Sequence, residues 1–289
     1  MILCFDDEVD FARALGLASG LPVQRIGRHR FPDDELKLTL PPKLGGEVRI
    51  LRSLHRPNEK LVELVLAVRA ARELGARDVT LIAPYLAYMR QDSAFAPGEV
   101  VSQKVVGRLL ADLFDAVVTV DPHLHRVATL AEAVPLARAV ALSAAPLIGH
   151  FVAMRARSPL LVGPDAESAQ WVHVAATYNG LPWTVCRKTR HGDTEVDVEL
   201  PAQEIRGREV VLVDDVASSG HTLAAAARAL LAAGAARVDA VVTHAVLAPE
   251  AGATLRAAGI SEFWSTDTVP HESNALSVVP LLADALRPA

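Results

Sequence analysis

Short apolar runs alternate with helical patterns along almost the whole chain of 289 residues, and this alternation constrains the fold more than any other feature. Apolar runs at 48–51 and 79–83 flank a stretch, 60–74, whose apolar residues recur at helical spacing. The same patterns predict strands at 116–120, 160–162, 183–186, 210–213 and 238–243, and helices at 102–113, at 168–178 and from Thr222. Such alternation predicts an α/β fold in which helices flank a mainly parallel sheet.

The two halves of the chain also resemble each other. Residues 71–82 are similar to residues 229–242, and Gly75 precedes its counterpart Gly234 by 159 residues. The predicted strands that begin at Val48 and Val210 are 162 residues apart. These offsets predict two similar α/β domains, at residues 1–140 and 141–289. The alternative is that any two α/β halves look alike without being copies of one another.

Composition and charge limit the classes of partner. A net charge of -5 and a sequence pI near 6.1 argue against a nucleic-acid-binding surface. Only Cys4 and Cys186 are present, which rules out a disulfide framework and fits a reducing cytoplasm. Acidic residues follow the N-terminus too soon for a signal peptide, and the apolar stretch 224–236 is too short to cross a bilayer. The sequence therefore predicts a cytoplasmic protein with neither nucleic-acid nor membrane partners.

One motif carries the clearest chemistry. The apolar run 210–213 leads to Asp214 and Asp215, then to a loop of small residues and a predicted helix. The loop and helix start contain hydroxyl groups and one glycine, at Ser218, Ser219, Gly220 and Thr222. A small-residue loop that enters a helix presents amides and a positive dipole end to a phosphate, and the two carboxylates suit sugar hydroxyls or a Mg²⁺ ion. The alternative is that an aspartate or a serine only caps the helix.

The segment from Val211 to Thr222 resembles the phosphoribosyl pyrophosphate (PRPP) binding signature of type I phosphoribosyltransferase folds. Phosphoribosyltransferases share this signature with PRPP synthetases, the ribose-phosphate diphosphokinases. The resemblance implies that ribose 5-phosphate binds Asp214, Asp215, Ser218, Ser219, Gly220, His221 and Thr222. Two departures stand out: many members have Asp-Thr in place of the two serines, and many have glycine where His221 places a bulky side chain.

A segment near the N-terminus separates these two kinds of enzyme. Residues 30–36, Arg-Phe-Pro-Asp-Asp-Glu-Leu, resemble the synthetase segment that forms a flag-like hairpin and contacts the adenine of ATP bound to a neighbouring subunit. The resemblance implies that Phe31 stacks on the base and that Asp33 and Glu35 accept hydrogen bonds from it. Taken alone, the segment would be a polar turn before a strand.

A second motif in the first half concerns the phosphates of ATP. Residues 83–92, Ala-Pro-Tyr-Leu-Ala-Tyr-Met-Arg-Gln-Asp, closely resemble the synthetase motif Pro-Tyr-x-x-Tyr-x-Arg-Gln-Asp, and they follow a predicted strand. The resemblance implies that Arg90 and Gln91 bind ATP, and an arginine can give phosphates paired, charge-assisted hydrogen bonds. A solvated surface arginine is the alternative.

Two further strand-end motifs supply metal candidates. Asp121-Pro-His123 resembles the family's Asp-x-His, in which the histidine helps to hold Mg-ATP, so His123 is assigned to ATP, metal and catalysis. Asp165 resembles the aspartate of the family's strand-end Pro-Asp loop and is the candidate partner of a second Mg²⁺ ion. Its alternative role is the N-cap of the following helix.

Residues 187–193 are similar to the catalytic Lys-x-Arg loop of the synthetases. The resemblance implies that Lys188 and Arg190 neutralise charge on the transferring β-phosphoryl group, although alone the segment would be a cation-rich surface loop. Five motifs in family order resemble the shorter archaeal-type PRPP synthetases over essentially the whole chain. The family implies transfer of diphosphate from Mg-ATP to the anomeric hydroxyl of ribose 5-phosphate, in a dimer or larger homo-oligomer whose ATP sites are shared across subunits.

Two rival functions remain open at this point. A phosphoribosyltransferase that consumes PRPP needs neither the segment 30–36 nor Arg90 and Gln91. A catalytically silent regulatory subunit would keep the fold and lose the chemistry, yet Lys188 and Arg190 are both retained.

The assignment of Lys188 generates a direct prediction. Replacing it in Lys188→Ala should lower kcat about 10²- to 10³-fold, the scale of removing one preorganised electrostatic donor, while ATP binding persists. Steady-state kinetics and equilibrium titration with ATP measure the two effects separately. An unchanged turnover would remove Lys188 from the mechanism.

Overall fold

A computed structural model of the chain describes residues 1–156, 158–190, 196–200 and 203–287, with the backbone alone for 188–190 and 196–198. Two compact units emerge, one formed by Met1–Leu142 with Val278–Ala289 and the other by Ser143–Ser277. Across the described residues, every helix is too short or too polar to cross a membrane.

The first unit contains a six-stranded sheet, a separate two-stranded hairpin and several helices. Its strands are β1 (Ile2–Cys4), β2 (Val23–Arg25), β3 (Gly27–Arg30), β4 (Leu36–Thr39), β5 (Glu47–Leu51), β6 (Asp78–Ala83), β7 (Ala116–Val120) and β8 (Arg138–Leu142). Its helices before Leu142 are α1 (Val9–Ser19), α2 (Pro57–Glu73), α3 (Ser102–Leu113) and α4 (Leu130–Ala133). The sheet has the order β2-β1-β5-β6-β7-β8 with every pair parallel, whereas β3 and β4 form an antiparallel hairpin.

The second unit is built in the same way. Its strands are β9 (Leu160–Gly163), β10 (Trp183–Val185), β11 (Arg187–Arg190), β12 (Val196–Glu199), β13 (Glu209–Ala217), β14 (Arg237–Ala245), β15 (Ile260–Thr266) and β16 (Asn274–Leu276). Its helices are α5 (Ala145–Arg155), α6 (Ala169–Thr177), α7 (His221–Ala232) and α8 (Ala251–Ala257). The parallel sheet has the order β10-β9-β13-β14-β15-β16, and β11 pairs with β12 in an antiparallel hairpin.

The two sheets have the same strand order and direction, and each unit inserts its hairpin at the same point of the chain. The predicted class, two similar domains with mainly parallel sheets flanked by helices, is therefore confirmed. Gly75 and Gly234, which the sequence comparison paired, follow the equivalent helices α2 and α7. Both have a left-handed backbone, with φ of 103° and 93°.

The last helix, α9 (Val279–Ala285), belongs to the first unit although it follows the second unit in sequence. Its apolar residues Val279, Leu282 and Ala283 are buried, and the helix packs against α1. The sequence division at 140/141 had placed this segment with the second half.

Each sheet is apolar because helices cover both of its faces. All five residues of β7 are buried, as are all four of β9. Strands buried on both faces cannot alternate apolar with polar residues, so they read as continuous Val, Leu and Ala runs. Charged residues are consequently rare inside these two strands, and most polar side chains near them lie in the loops that follow.

The packing of α5 on α6 gives a prediction about stability. A Cβ atom at Gly149 in α5 would lie 2.0 Å from the carbonyl oxygen of Ala175 in α6. Gly149→Ala should therefore destabilise the protein by about 1–3 kcal/mol, because the two helices must move apart. Gly252→Ala, where the nearest atom is a flexible guanidinium nitrogen at 3.5 Å, is the matched control in the same unit. Urea unfolding followed by circular dichroism compares them, and equal stability of both variants would contradict the close packing.

Candidate active site

The predicted sugar-phosphate residues of the second unit lie at the carboxyl ends of β9 and β13. These strands are parallel neighbours, so the segments beyond them meet at the same edge of the sheet. Asp165 follows β9, whereas Asp214 and Asp215 lie within β13. The sequence placed the end of this strand at Val213, and that boundary was wrong. Pairing with β14 continues as far as Ala217 and keeps both aspartates in the sheet.

Two neighbouring carboxylates act on Asp214 at this edge. Burial, and then the negative charges of Asp215 and Asp165, raise the pKa of Asp214 well above its usual value. Repulsion of this kind fits a divalent cation, whose charge would relieve it. Within the described parts of the chain, no three His, Cys, Asp or Glu side chains are grouped to hold a metal ion by themselves. A Mg²⁺ ion would therefore complete its shell with oxygen atoms of a ligand or of water, as this ion commonly does.

Asp165 also has the capping role that was the alternative interpretation. Its Oδ1 accepts a hydrogen bond of 3.1 Å from the backbone N–H of Glu167 and caps the short 3₁₀ helix Ala166–Ser168. The cap fixes the carboxylate at the end of β9, where its charge acts on Asp214.

The loop after β13 joins the strand to α7 through a left-handed turn at Gly220, which has φ of 77°. The helix begins at His221, one residue earlier than predicted. The backbone N–H of His221 donates to Ser219 Oγ at 3.4 Å, and its side chain is exposed. The imidazole therefore stands on the first turn of the helix and does not fill the loop. The twelve-residue α7 directs its positive dipole end at the serines, which is the arrangement that binds phosphate.

In the first unit, the segment predicted to recognise adenine forms the tip of the β3–β4 hairpin. Two backbone hydrogen bonds close the tip, from Phe31 N to Glu35 O at 2.9 Å and from Asp34 N to Phe31 O at 3.0 Å. Phe31 is 40% exposed and meets the ring of His29 edge to face, with centroids 4.8 Å apart. Asp33 and Glu35 are exposed. The predicted flag-like hairpin is thus present and presents an aromatic ring and two carboxylates to solvent.

Arg90 and Gln91 lie in the long loop between β6 and α3. Arg90 is exposed, whereas the side-chain oxygen of Gln91 accepts hydrogen bonds from the backbone N–H, at 3.2 Å, and the hydroxyl of Ser102 at the start of α3. Gln91 therefore fixes the loop to the helix, a role that the sequence analysis did not anticipate. Its proposed contact with ATP is a separate prediction.

His123 follows β7, the neighbour of β6 in the sheet. Its Nδ1 lies 3.3 Å from Nε2 of His125, and the two rings meet edge to face. The loops after β6 and β7 are tied together, because Arg126 Nε lies 3.2 Å from Asp92 Oδ1. The structure therefore brings the predicted ATP-phosphate residues to one edge of the first sheet.

Lys188 and Arg190 lie on β11, where their backbones pair with Val198 and Val196 of β12. Their side chains, and residues 191–195 of the predicted catalytic loop, lie outside the described residues.

The sequence analysis missed a buried cluster of charges at the carboxyl ends of β1 and β5. Arg52, 1% exposed, donates to both oxygens of Asp7 at 2.8 and 2.9 Å and to Glu8 Oε2 at 3.0 Å. It also pairs with Glu63, which α2 carries and which is 0% exposed. Burial raises the pKa of Glu8 despite the positive charge of Arg52. The sequence signal was present: acidic residues follow the first strand, and an arginine directly follows the apolar run 48–51.

Lys60, on the turn of α2 that precedes Glu63, completes the cluster. Its Nζ donates to the carbonyl oxygen of Ser53 at 2.6 Å and lies 3.3 Å from the ring nitrogens of His55. Burial and the charge of Arg52 lower the pKa of Lys60 to about 8, and burial with the charge of Lys60 lowers that of His55 to about 4. Two residues of α2 therefore hold the loop after β5: Lys60 through Ser53, and Glu63 through Arg52.

Comparison with known proteins places these features in a family. Residues 1–113 match the N-terminal domain of ribose phosphate pyrophosphokinase, and residues 126–253 match the phosphoribosyl transferase domain. Ribose-phosphate pyrophosphokinase of Methanopyrus kandleri is 36% identical over 99% of this chain and 98% of its own. Ribose-phosphate pyrophosphokinase 2 of Archaeoglobus fulgidus is 35% identical over 94% of this chain and 95% of its own. The crystal structure of phosphoribosylpyrophosphate synthetase from Mycobacterium smegmatis shares the fold, with a TM-score of 0.86, 24% identity and coverage of 99% and 96% of the two chains.

The turn at Gly220 generates a prediction about phosphate binding. In Gly220→Ala, the left-handed backbone at φ of 77° is strained and the new Cβ lies 3.2 Å from Leu255 Cδ2. The loop should shift and its affinity for ribose 5-phosphate should fall about tenfold, the effect of roughly 1–2 kcal/mol of left-handed strain. Gly207→Ala carries a similar φ of 75° in open space, so it controls for strain alone. Calorimetric titration with ribose 5-phosphate measures both variants, and wild-type affinity in Gly220→Ala would contradict the assignment of the loop.

Proposed function

The chain belongs to the ribose-phosphate pyrophosphokinase family, and from this premise we propose that it makes PRPP by transferring the diphosphate of Mg-ATP to ribose 5-phosphate. The anomeric hydroxyl oxygen attacks the β-phosphorus and forms the new O–P bond. The bond between the β-phosphorus and the bridging α–β oxygen breaks, and AMP leaves with that oxygen. The hydroxyl proton is released as the new bond forms.

The observation that carries this proposal is that one chain holds both kinds of site. The second unit has the aspartates and the small-residue loop suited to a sugar phosphate, and the first has the exposed aromatic hairpin and the loop with Arg90 suited to a nucleotide. An enzyme that consumes PRPP has no need of the first set. Relatives that match this chain along almost their full length carry the name of the synthesising enzyme.

Ribose 5-phosphate is proposed to bind with its phosphate at the start of α7. The hydroxyls of Ser218, Ser219 and Thr222 and the amides of the loop would donate to the phosphate. The carboxylates of Asp214 and Asp215 would accept hydrogen bonds from the ring hydroxyls. They would orient the anomeric hydroxyl towards the phosphorus, and this positioning is the main part of catalysis in phosphoryl transfer.

ATP is proposed to bind with its phosphates near Arg90, Gln91 and His123. Its adenine would stack on Phe31 and donate hydrogen bonds to Asp33 and Glu35. Following the family resemblance, the hairpin would serve the ATP bound to a neighbouring subunit. The working enzyme would then be a homodimer or a larger homo-oligomer.

Charge neutralisation would come from cationic side chains and from Mg²⁺. Lys188 and Arg190 would stabilise the negative charge on the transferring group. The position of Asp165, Asp214 and Asp215 at the ends of two neighbouring strands supports a bound cation. His123 is the proposed protein ligand of the Mg²⁺ that accompanies ATP, and Asp165 is the proposed ligand of a second Mg²⁺ ion. Mg²⁺, when bound, lowers the charge of the ATP phosphates.

The proposal predicts the products of a simple reaction. Purified protein incubated with ATP, Mg²⁺ and ribose 5-phosphate should release AMP and PRPP in equal amounts, and label in the β-phosphate of ATP should appear in PRPP. Chromatography of the nucleotides and ³¹P NMR of the sugar follow both products. EDTA should abolish the reaction, and excess Mg²⁺ should restore it.

Two controls make the assay decisive. Omission of ribose 5-phosphate should suppress AMP release, and Lys188→Ala purified in parallel excludes a contaminating enzyme. Absence of AMP release at all phosphate and metal concentrations would overturn the proposal. Consumption of added PRPP with a nucleobase, releasing pyrophosphate, would instead favour a phosphoribosyltransferase.

A further inference from the structure

We propose that Glu59 and Glu63, on the first two turns of α2, are positioning residues that hold the β3–β4 hairpin in the orientation required for recognition of the base of ATP. The inference rests on the proposed function, because it assigns the hairpin tip to the adenine. It adds residues that would touch neither substrate and would act through the arginines of β3.

Two ion pairs join the hairpin to α2. Arg30, the last residue of β3, pairs with Glu59, and both side chains are close to half exposed. Arg28, two residues earlier on the same strand, lies 2.5 Å from Glu63, which is 0% exposed. Residues two apart on a strand lie on the same side, and residues four apart on a helix lie on the same face. The spacing of the two pairs therefore matches one face of β3 to one face of α2.

The conformation of the hairpin tip also involves Arg30. Arg30 lies 3.0 Å from Asp34, which occupies the left-handed position of the turn with φ of 72°. Phe31 is the residue between this arginine and the turn. Movement of Arg30 would therefore move the exposed ring and the neighbouring carboxylates.

The inner pair is anchored deep in the first unit. Glu63 also pairs with Arg52, and Arg52 is fixed by Glu8 and Asp7 at the end of β1. On its apolar face α2 buries Leu64, Ala67 and Val68 in the core. The helix is therefore a rigid support, and the charges that it presents to the hairpin have fixed positions.

A two-stranded hairpin needs such a support, because on its own it is marginally stable in water. Leu38 of β4 packs against the core and holds the base of the hairpin, but residues 31–35 at its tip are exposed. Apolar contacts are not directional, whereas charged hydrogen bonds fix orientation. The two ion pairs to α2, together with the pair between Arg28 and Asp7 at 3.5 Å, are therefore the directional contacts that orient the tip.

Loss of either carboxylate should weaken nucleotide recognition and leave the sugar site unchanged. Glu59→Gln should raise the KM for ATP about two- to fivefold, the range for a partly exposed ion pair. Glu63→Gln should raise it about tenfold, because it removes the fully buried carboxylate that Arg28 and Arg52 share, while both arginines keep Asp7 as a partner. In both variants kcat and the KM for ribose 5-phosphate should stay near wild type. The preference for ATP over GTP should fall, because the hairpin reads the base.

Several variants separate positioning from general damage. Glu73→Gln removes an exposed carboxylate from the far end of the same helix and should behave as wild type. Glu59→Asp keeps the charge and should restore part of the lost affinity. Thermal melting reports on folding. If Glu63→Gln fails to fold, the half-exposed Glu59 still tests the inference.

Binding measurements keep this test independent of the proposed reaction. Calorimetric titration with α,β-methylene-ATP and with the matching GTP analogue needs no turnover, so it compares the variants even if the wild-type protein releases no AMP. Weaker binding of the ATP analogue with reduced base preference supports the inference. The inference would be overturned if both glutamine variants kept the affinity and base preference of the wild type. It would also be overturned if they lost affinity equally for the ATP analogue and for ribose 5-phosphate. Failure of the AMP assay alone would overturn the proposed reaction instead.

Discussion

Parallel pairing of short buried strands is the constraint on which the rest of both units depends. Most connections between parallel strands are crossovers of about a dozen or more residues that contain a helix, and these helices flank each sheet. The short link between β15 and β16 is the exception. Because the central strands are then mostly apolar, many polar side chains lie in the loops that follow the strands. Parallel direction collects all the carboxyl ends at one edge. His123, Asp165 and Asp214 lie in or after different strands, and each reaches the carboxyl edge of its own sheet for this reason.

The buried charges around Arg52 follow from the same geometry. The ends of β1 and β5 are neighbours, so acidic residues after one meet an arginine after the other. Burial of charges is expensive and contributes little net stability even when they are well paired, so such a cluster is better explained by the geometry that it fixes. Here it connects the sheet, α2 and the hairpin, and the ring of Phe5 lies 4.5 Å from the guanidinium carbon of Arg52.

Repetition of one topology gave the chain two hairpins, for which we propose different tasks. In each unit the hairpin comes directly after the edge strand, β2 or β10. It comes directly before the strand that is third in chain order within that unit's six-stranded sheet, β5 or β13. The first hairpin carries Phe31 at its exposed tip, whereas the second carries Lys188 and Arg190 on its first strand. A hairpin outside the sheet can change its residues without disturbing the core. The two copies could therefore diverge towards adenine recognition and, as proposed, charge neutralisation while the sheets stayed alike.

The sequence by itself determined the fold class, most central strands and the segments that follow them, because apolar runs and helical spacing are local signals. Among the strands of the two parallel sheets, it did not predict β1, β2, β8, β15 or β16. The strands β1, β2 and β16 have only three residues each, and β8 and β15 mix apolar with charged or hydroxyl residues. Tertiary structure alone decided the rest. Pairing with β14 extended β13 beyond Val213, packing on α1 drew α9 into the first unit, and Glu8 met Arg52 across 44 residues of chain. Each depends on contacts between segments distant in sequence, which no local pattern encodes.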